Sequence, residues 1–257
     1  MASLAIAAAD RRSSRWRAVY RITLLACWFL CCLIPHLLSR LRGGSNWPTR
    51  FLAGVARICG TDVRLEGLRP RSGELLIANH TSWLDIPILA GATGCAFISK
   101  AEIRSHPFLR WVADQNGTIY VDRAERRQIH DQARAIQDGL KRARPLALFP
   151  EGTVSDGITL LPFKPSLLSA VSPPPDGAAL RPIAIDYGGK ASVLRWAPGE
   201  HGVANALRIL GRPGRLSVTV RLLDRLAPSS DRKALAKAAH DAIAAALAPS
   251  GVAPTRL

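Results

Sequence analysis

Asn79-His80-Thr81-Ser82-Trp83-Leu84-Asp85 sets an imidazole and a carboxylate five positions apart. On one continuous helix, residues at that spacing point roughly 140° apart, so the two side chains can meet only if the chain breaks between them. The flanks predict such a break. Leu75 to Ala78 is an apolar run with strand character, and Asp85-Ile86-Pro87 reads as a first helical turn, where proline is tolerated. A carboxylate bonded to one ring nitrogen fixes the tautomer and leaves the other nitrogen as a base near neutral pH, which suits activation of a hydroxyl. On this stretch alone an equal alternative stands, in which His80 closes the strand end and Asp85 caps the helix.

Three later stretches combine a strand end with groups suited to a polar or anionic ligand. Gly117 to Arg123 ends at an arginine that could take a phosphate bidentately, although a helix-start arginine is also an ordinary solvated charge. Phe149-Pro150-Glu151-Gly152-Thr153 runs from a strand into a turn carrying carboxylate, glycine and hydroxyl. Gly152 would let a ligand approach the backbone, and adjacent N–H groups with the Thr153 hydroxyl could bond an oxygen-rich acceptor. Leu180 to Ile185 places Pro182 at the start of an apolar strand, where a strand tolerates one.

These motifs need a scaffold, and from Thr61 onward short apolar runs alternate with helical patterns, which predicts an α/β fold. The expected strands are 63–65, 75–79, 96–99, 118–121, 146–149, 182–186, 192–195 and 216–222. Helices are expected over about 124–142, with Ile129, Ala133, Ile136 and Leu140 on one face, and over 231–247. Length suits one α/β domain with an appendage, divided at residues 1–60 and 61–257.

The appendage begins with a polar, arginine-bearing leader over residues 1–17, followed by an apolar stretch, 18–38, that contains Pro35. It is near the lower limit for crossing a bilayer, and arginines flank both sides, so the positive-inside rule gives no direction. A second amphipathic segment starts near Asn46 and Pro48 and stops at Gly60. The pair reads as two helices resting on a membrane.

Lys and Arg number 35 against 19 Asp and Glu, a net charge of +16, which draws the chain to anionic partners. Nucleic acid is disfavoured, because the arginines are spread along the chain without interleaved aromatic platforms. The cysteines at 27, 31, 32, 59 and 95 lack zinc-site spacing and read as apolar packing in a reducing compartment. No metal site is expected. A serine-hydrolase elbow, G-x-S-x-G, is absent from the sequence.

Taken in order, His-x4-Asp after an apolar strand, a Gly-to-Arg123 strand, Phe-Pro-Glu-Gly-Thr and a Pro-led apolar strand resemble the glycerolipid acyltransferase family, which includes 1-acylglycerol-3-phosphate acyltransferases. The resemblance spans roughly residues 60 to 190. It implies a mixed sheet surrounded by helices, fronted by a membrane-associated two-helix segment. It also implies His80 as catalytic base, Asp85 as its orienting carboxylate, and Arg123 with Glu151, Gly152 and Thr153 as acceptor-binding residues. Lys100 falls where relatives often carry a basic residue near the acceptor phosphate. The donor would be acyl-CoA or acyl carrier protein, with no other cofactor, and the acceptor a membrane lysolipid. The implied location is a membrane, most simply the bacterial inner membrane with the site facing the cytoplasm. Family prevalence points to 1-acylglycerol-3-phosphate as acceptor. Phosphate-using relatives commonly place a basic residue after Glu-Gly-Thr, and this chain has Val154, a feature similar to the lyso-ornithine lipid branch; Asp156 could then meet the ornithine amine or simply cap its turn. The non-enzymatic alternative is a basic, membrane-bound binding protein.

Overall fold

The computed structural model describes residues 14–121, 129–197 and 199–248. Its strands are β1 (Thr61–Glu66), β2 (Glu74–Ala78), β3 (Ala96–Lys100), β4 (Ile119–Val121), β5 (Leu146–Leu148), β6 (Ala179–Asp186) and β7 (Leu216–Leu222). The helices are α1 (Arg15–Leu41), α2 (Trp47–Ile58), α3 (Asp85–Thr93), α4 (Pro107–Gln115), α5 (Ile129–Leu140), α6 (Gly202–Gly211) and α7 (Arg232–Leu247).

The strands form one sheet in the order β1-β7-β6-β2-β5-β3-β4. Only the β6–β7 pair is antiparallel, so the expected mixed α/β sheet is what the chain builds. β2 lies centrally and is buried along its whole length. Its side chains alternate between faces as a pleat requires. Leu76 and Ala78 join a core with Leu84, Ile88 and Leu89 around α3, while Leu75 and Ile77 join a second core with Ile136 and Leu140 of α5 and Leu235 and Ile243 of α7.

Several expectations shift. Residues 192–195 are not a strand; Ala191–Leu194 is a single 3-10 turn, because the run is too short to reach a partner between the tight Gly188-Gly189 bend and α6. β6 begins at Ala179, so Pro182 is interior rather than leading. The strand tolerates it for a geometric reason. N–H groups alternate sides along a strand, and Ile185 donates toward the β2 side, to Asn79 Oδ1 at 2.8 Å. Position 182 therefore faces β7, whose pairing with β6 starts only at Ile183. α4 and α6 are additional to the expected helices. For the helix expected over 124–142, residues 129–140 are helical, and 124–128 lie outside the described residues.

α1 runs unbroken through Pro35 from Arg15 to Leu41, longer than the apolar stretch alone. Both of its ends are tied to the sheet-bearing body. At the start, Arg17 Nε donates to Gly211 O at 3.1 Å, and Arg21 Nη1 donates to Leu210 O at 2.8 Å and Arg212 O at 3.1 Å. These are carbonyls at the C-terminus of α6, where cations are favoured. At the far end, His36 Nε2 and Arg40 Nη1 both reach Gln115 Oε1 of α4 at 2.9 Å. α2 is started by Pro48 in its first turn, and Asn46 precedes it without a side-chain cap bond. α2 then crosses α3 so closely that a Cβ on Gly91 would sit 2.6 Å from Ala53 Cα.

Candidate active site

β2 delivers the heptapeptide to the carboxyl ends of the parallel strands, where open α/β sheets bind ligands. Asn79 holds the exit in register. Its side-chain amide donates to Ile185 O at 3.0 Å and accepts from Ile185 N at 2.8 Å, extending the β2–β6 pairing by one residue through a side chain. The chain then turns at Ser82 to Leu84 and enters α3 at Asp85.

The turn brings His80 Nδ1 to 2.9 Å from Asp85 Oδ2. The same oxygen accepts the main-chain N–H groups of Thr81 at 2.6 Å and Ser82 at 2.8 Å. Asp85 thus orients the imidazole and ties down the loop before it, and it does not cap the helix, since its carboxylate accepts from Thr81 and Ser82 upstream and from no N–H of α3's first turn. Asp85 is fully buried, and Tyr187 OH donates to its other oxygen, Oδ1, at 2.5 Å. Because a carboxylate accepts at Nδ1, that nitrogen carries the proton and Nε2 keeps its lone pair. The imidazole is partly exposed and stacks on Phe149, with ring centroids 4.2 Å apart and 16° between planes.

His80 opens onto a cleft of about 300 Å³ lined by Ile86, Phe97 and Phe149 on its apolar side and by Lys100, Gly152 and Thr153 on its polar side. Lys100, Gly152 and Thr153 thus stand where an acceptor could meet them. Val154 and Glu102 line the same cleft. Gly152 has φ +73, a left-handed turn that glycine adopts without strain.

Glu151 takes a different place from the one its motif implied. It is buried, with Oε1 accepting His80 N–H at 2.6 Å and Oε2 accepting Leu161 N–H at 3.2 Å. It braces the His80 loop from behind and does not line the cleft. Burial pushes its carboxyl up to about 7, against the pull of the His80 and Leu161 N–H groups. Asp156 caps its own turn, Oδ1 accepting from Ile158 N and Thr159 N, both at 2.8 Å, and these bonds hold its carboxyl below the usual range. Arg123 lies outside the described residues.

Tyr187 was invisible to local pattern reading, since it stands 102 residues from its partner. Ser155 is another such link. Its N–H donates to His80 O at 2.7 Å, sewing the turn after β5 to the loop after β2. Among the described residues no group of three or more His, Cys, Asp or Glu converges as a metal site would require.

A family model described as Acyltransferase matches residues 61–186. Over 249 residues the chain is 34% identical to a lyso-ornithine lipid O-acyltransferase of Pseudomonas aeruginosa, covering 92% of each protein. The chain belongs to the acyltransferase family. A second relative in that family, the 1-acyl-sn-glycerol-3-phosphate acyltransferase of Neisseria gonorrhoeae, is 37% identical over 139 residues, 52% of this chain and 53% of that protein. The acyltransferase fold is also matched by the crystal structure of the 1-acyl-sn-glycerophosphate acyltransferase PlsC from Thermotoga maritima, with TM-score 0.67 and 20% identity over 96% of both chains.

Proposed function

We propose that the chain transfers a fatty acyl group from a thioester donor, acyl-CoA or acyl carrier protein, to the free hydroxyl of a lysolipid. The observation that carries this is His80, held through Nδ1 by a buried carboxylate with Nε2 left open to a half-apolar cleft. Nε2 takes the proton from the acceptor hydroxyl as its oxygen attacks the thioester carbonyl. The tetrahedral intermediate collapses with loss of the C–S bond, and the departing thiolate takes the proton back from the imidazolium. A positioned base of this kind contributes about 10² to 10⁴ in rate. The thioester is already activated, so the step as proposed uses neither a metal nor a further cofactor.

For the acceptor we favour lyso-ornithine lipid. Its headgroup is zwitterionic, and the charged side chains lining the cleft among the described residues are one cation, Lys100, and one anion, Glu102. Val154 adds no positive charge to that wall. The relatives named lyso-ornithine lipid O-acyltransferase in Pseudomonas aeruginosa and Brucella abortus match 92% and 84% of this chain, which supports the same choice. The second reading is 1-acylglycerol-3-phosphate, favoured by Lys100 as a phosphate partner and by the relative in Neisseria gonorrhoeae. Purified protein assayed against both lysolipids, with acyl-CoA and acyl carrier protein as donors, tests both. Turnover of the phosphate acceptor alone would replace the first choice by the second. Turnover of neither by a folded protein would remove the acyltransfer reading.

A docked position on one membrane leaflet is supported by α1. The helix is long and apolar enough to cross a bilayer by length and composition. Arg17 and Arg21 at one end and His36 and Arg40 at the other are nevertheless bonded to the catalytic body. A helix tied to the body at both ends cannot cross unless the body enters the hydrocarbon with it. Its outer face exposes Val19, Tyr20, Leu30, Ile34, Leu37 and Leu38. α4, packed beside α1 with Phe108 meeting Phe29 edge-on at 5.6 Å, adds the exposed Phe108 and Leu109. The net positive charge suits anionic headgroups. The cysteines of the chain are free thiols, in keeping with the cytoplasmic face of a bacterial inner membrane, where both donor types occur.

A further inference from the structure

We propose that Tyr187 is a positioning residue for the catalytic pair, setting how much negative charge Asp85 presents to His80. The inference rests on the reading of His80 as the base.

The two oxygens of Asp85 are served differently. Oδ2 accepts from His80 Nδ1 and from the N–H groups of Thr81 and Ser82, all within its own loop. Oδ1 accepts from Tyr187 OH at 2.5 Å, and with Asp85 fully buried there is no solvent to take the phenol's place. Tyr187 itself is 2% exposed. Its position is fixed by the sheet, because Asn79 bonds both main-chain groups of Ile185 two residues earlier. Strand β6 thereby carries a hydroxyl to the one carboxylate oxygen that the heptapeptide cannot reach.

A hydrogen bond to a carboxylate stabilises its charge and weakens it as a partner for another donor. The phenol thus draws charge from Asp85, and what remains holds the imidazolium formed during turnover. The proton stays on Tyr187 throughout: burial first, then the charge and hydrogen bond of Asp85, keep the phenol well above its usual range. Other charged groups facing this cluster are Glu151, bonded to His80 N–H, Arg212 beside the phenol, and Lys100 and Glu102 in the cleft. Glu151, Lys100 and Glu102 are not hydrogen-bonded to the phenol, and 3-fluorotyrosine leaves the ring beside Arg212 in place, so its shift reads the phenol's hydrogen bond.

The test is the titration of His80, followed by nuclear magnetic resonance on histidine-labelled full-length protein in detergent micelles, with His80→Ala identifying its signal. In Tyr187→Phe, Asp85 keeps more charge and the His80 pKa should rise by about half a pH unit or more. The acidic limb of kcat/KM should move up with it, at unchanged KM for the lipid. Site-specific 3-fluorotyrosine at 187 is a more acidic, stronger donor and should move the titration down. Opposite shifts in the two proteins are the expected result. If Tyr187→Phe does not fold, the fluorotyrosine protein decides alone. An unmoved His80 titration in the fluorotyrosine protein overturns the proposal, even if Tyr187→Phe is less active or less stable. The titration needs no turnover, so a protein that transfers no acyl group would fail the functional reading while still testing this coupling.

Discussion

The main-chain N–H of His80 donates to Glu151 Oε1 at 2.6 Å, so the His80 loop after β2 and the turn after β5 form one unit. The Phe-Pro-Glu-Gly-Thr stretch thus acts on both sides of the loop. Glu151 braces it from within, and Gly152 and Thr153 face the cleft beside it.

Removing that brace should disable the enzyme without touching the cleft. Glu151→Ala leaves two partly buried N–H groups, of His80 and Leu161, without their acceptor, at up to about 1–3 kcal/mol each. Chemical denaturation should show the loss, and kcat should fall more than KM changes. Wild-type kcat in a folded Glu151→Ala protein would refute the brace.

The same carboxylate predicts a pH dependence of stability. Its pKa is raised from 4.5 to about 7 in the folded protein, so the folded state holds the proton more tightly than the unfolded one. Its contribution is full below pH 4.5 and is lost as pH rises through about 7. Over that window the stability of wild type relative to Glu151→Gln, which cannot titrate, should drop by about 3 kcal/mol. Denaturation of both proteins at a series of pH values measures it, and parallel curves would refute it.

His80→Ala should lower kcat by about 10² to 10⁴ while flotation with vesicles stays at the wild-type level. Asp85→Asn should be nearly as inactive, and it should also be less stable, because its amide cannot accept from His80, Thr81, Ser82 and Tyr187 as the carboxylate does. A His80→Ala protein with normal turnover would remove the proposed base.

Phe108 and Leu109 of α4 are 59% and 53% exposed, and Phe108 meets Phe29 of α1 edge-on. Phe108→Glu with Leu109→Glu should weaken binding to vesicles containing anionic lipid. Turnover of an acceptor presented in detergent micelles should be retained. Unchanged flotation of the double variant would exclude α4 from the docking face.

Much of this arrangement was legible because its signals are local. The apolar run before His80 and the Asp-Ile-Pro start after it are enough to require a break in the chain. The central strands announce themselves by continuous burial on both faces. Signals at a distance were not legible. Tyr187 lies after a strand that reads only as a strand, and its partner is supplied by the β2–β6 pairing. Glu151 carries the same residue type whether it meets a ligand or a main chain, and only the fold decides which. α4 did leave a trace, with Pro107 at its start and Phe108, Trp111 and Val112 at helical spacing. Residues 192–195 misled in the other direction, since Val193 and Leu194 suit a strand locally but have no neighbour to pair with.

For the proton transfer proposed at His80, the four donors around Asp85 have a consequence for the energy of the step itself. A carboxylate in water would have to turn its hydration shell as charge appears on the imidazole. Here the Thr81 and Ser82 N–H groups and the Tyr187 hydroxyl already point at the carboxylate before any substrate arrives. The dipoles are preorganised, so little reorganisation energy remains in the transition state. That orientation is established when the sheet forms, and each turnover begins with it in place.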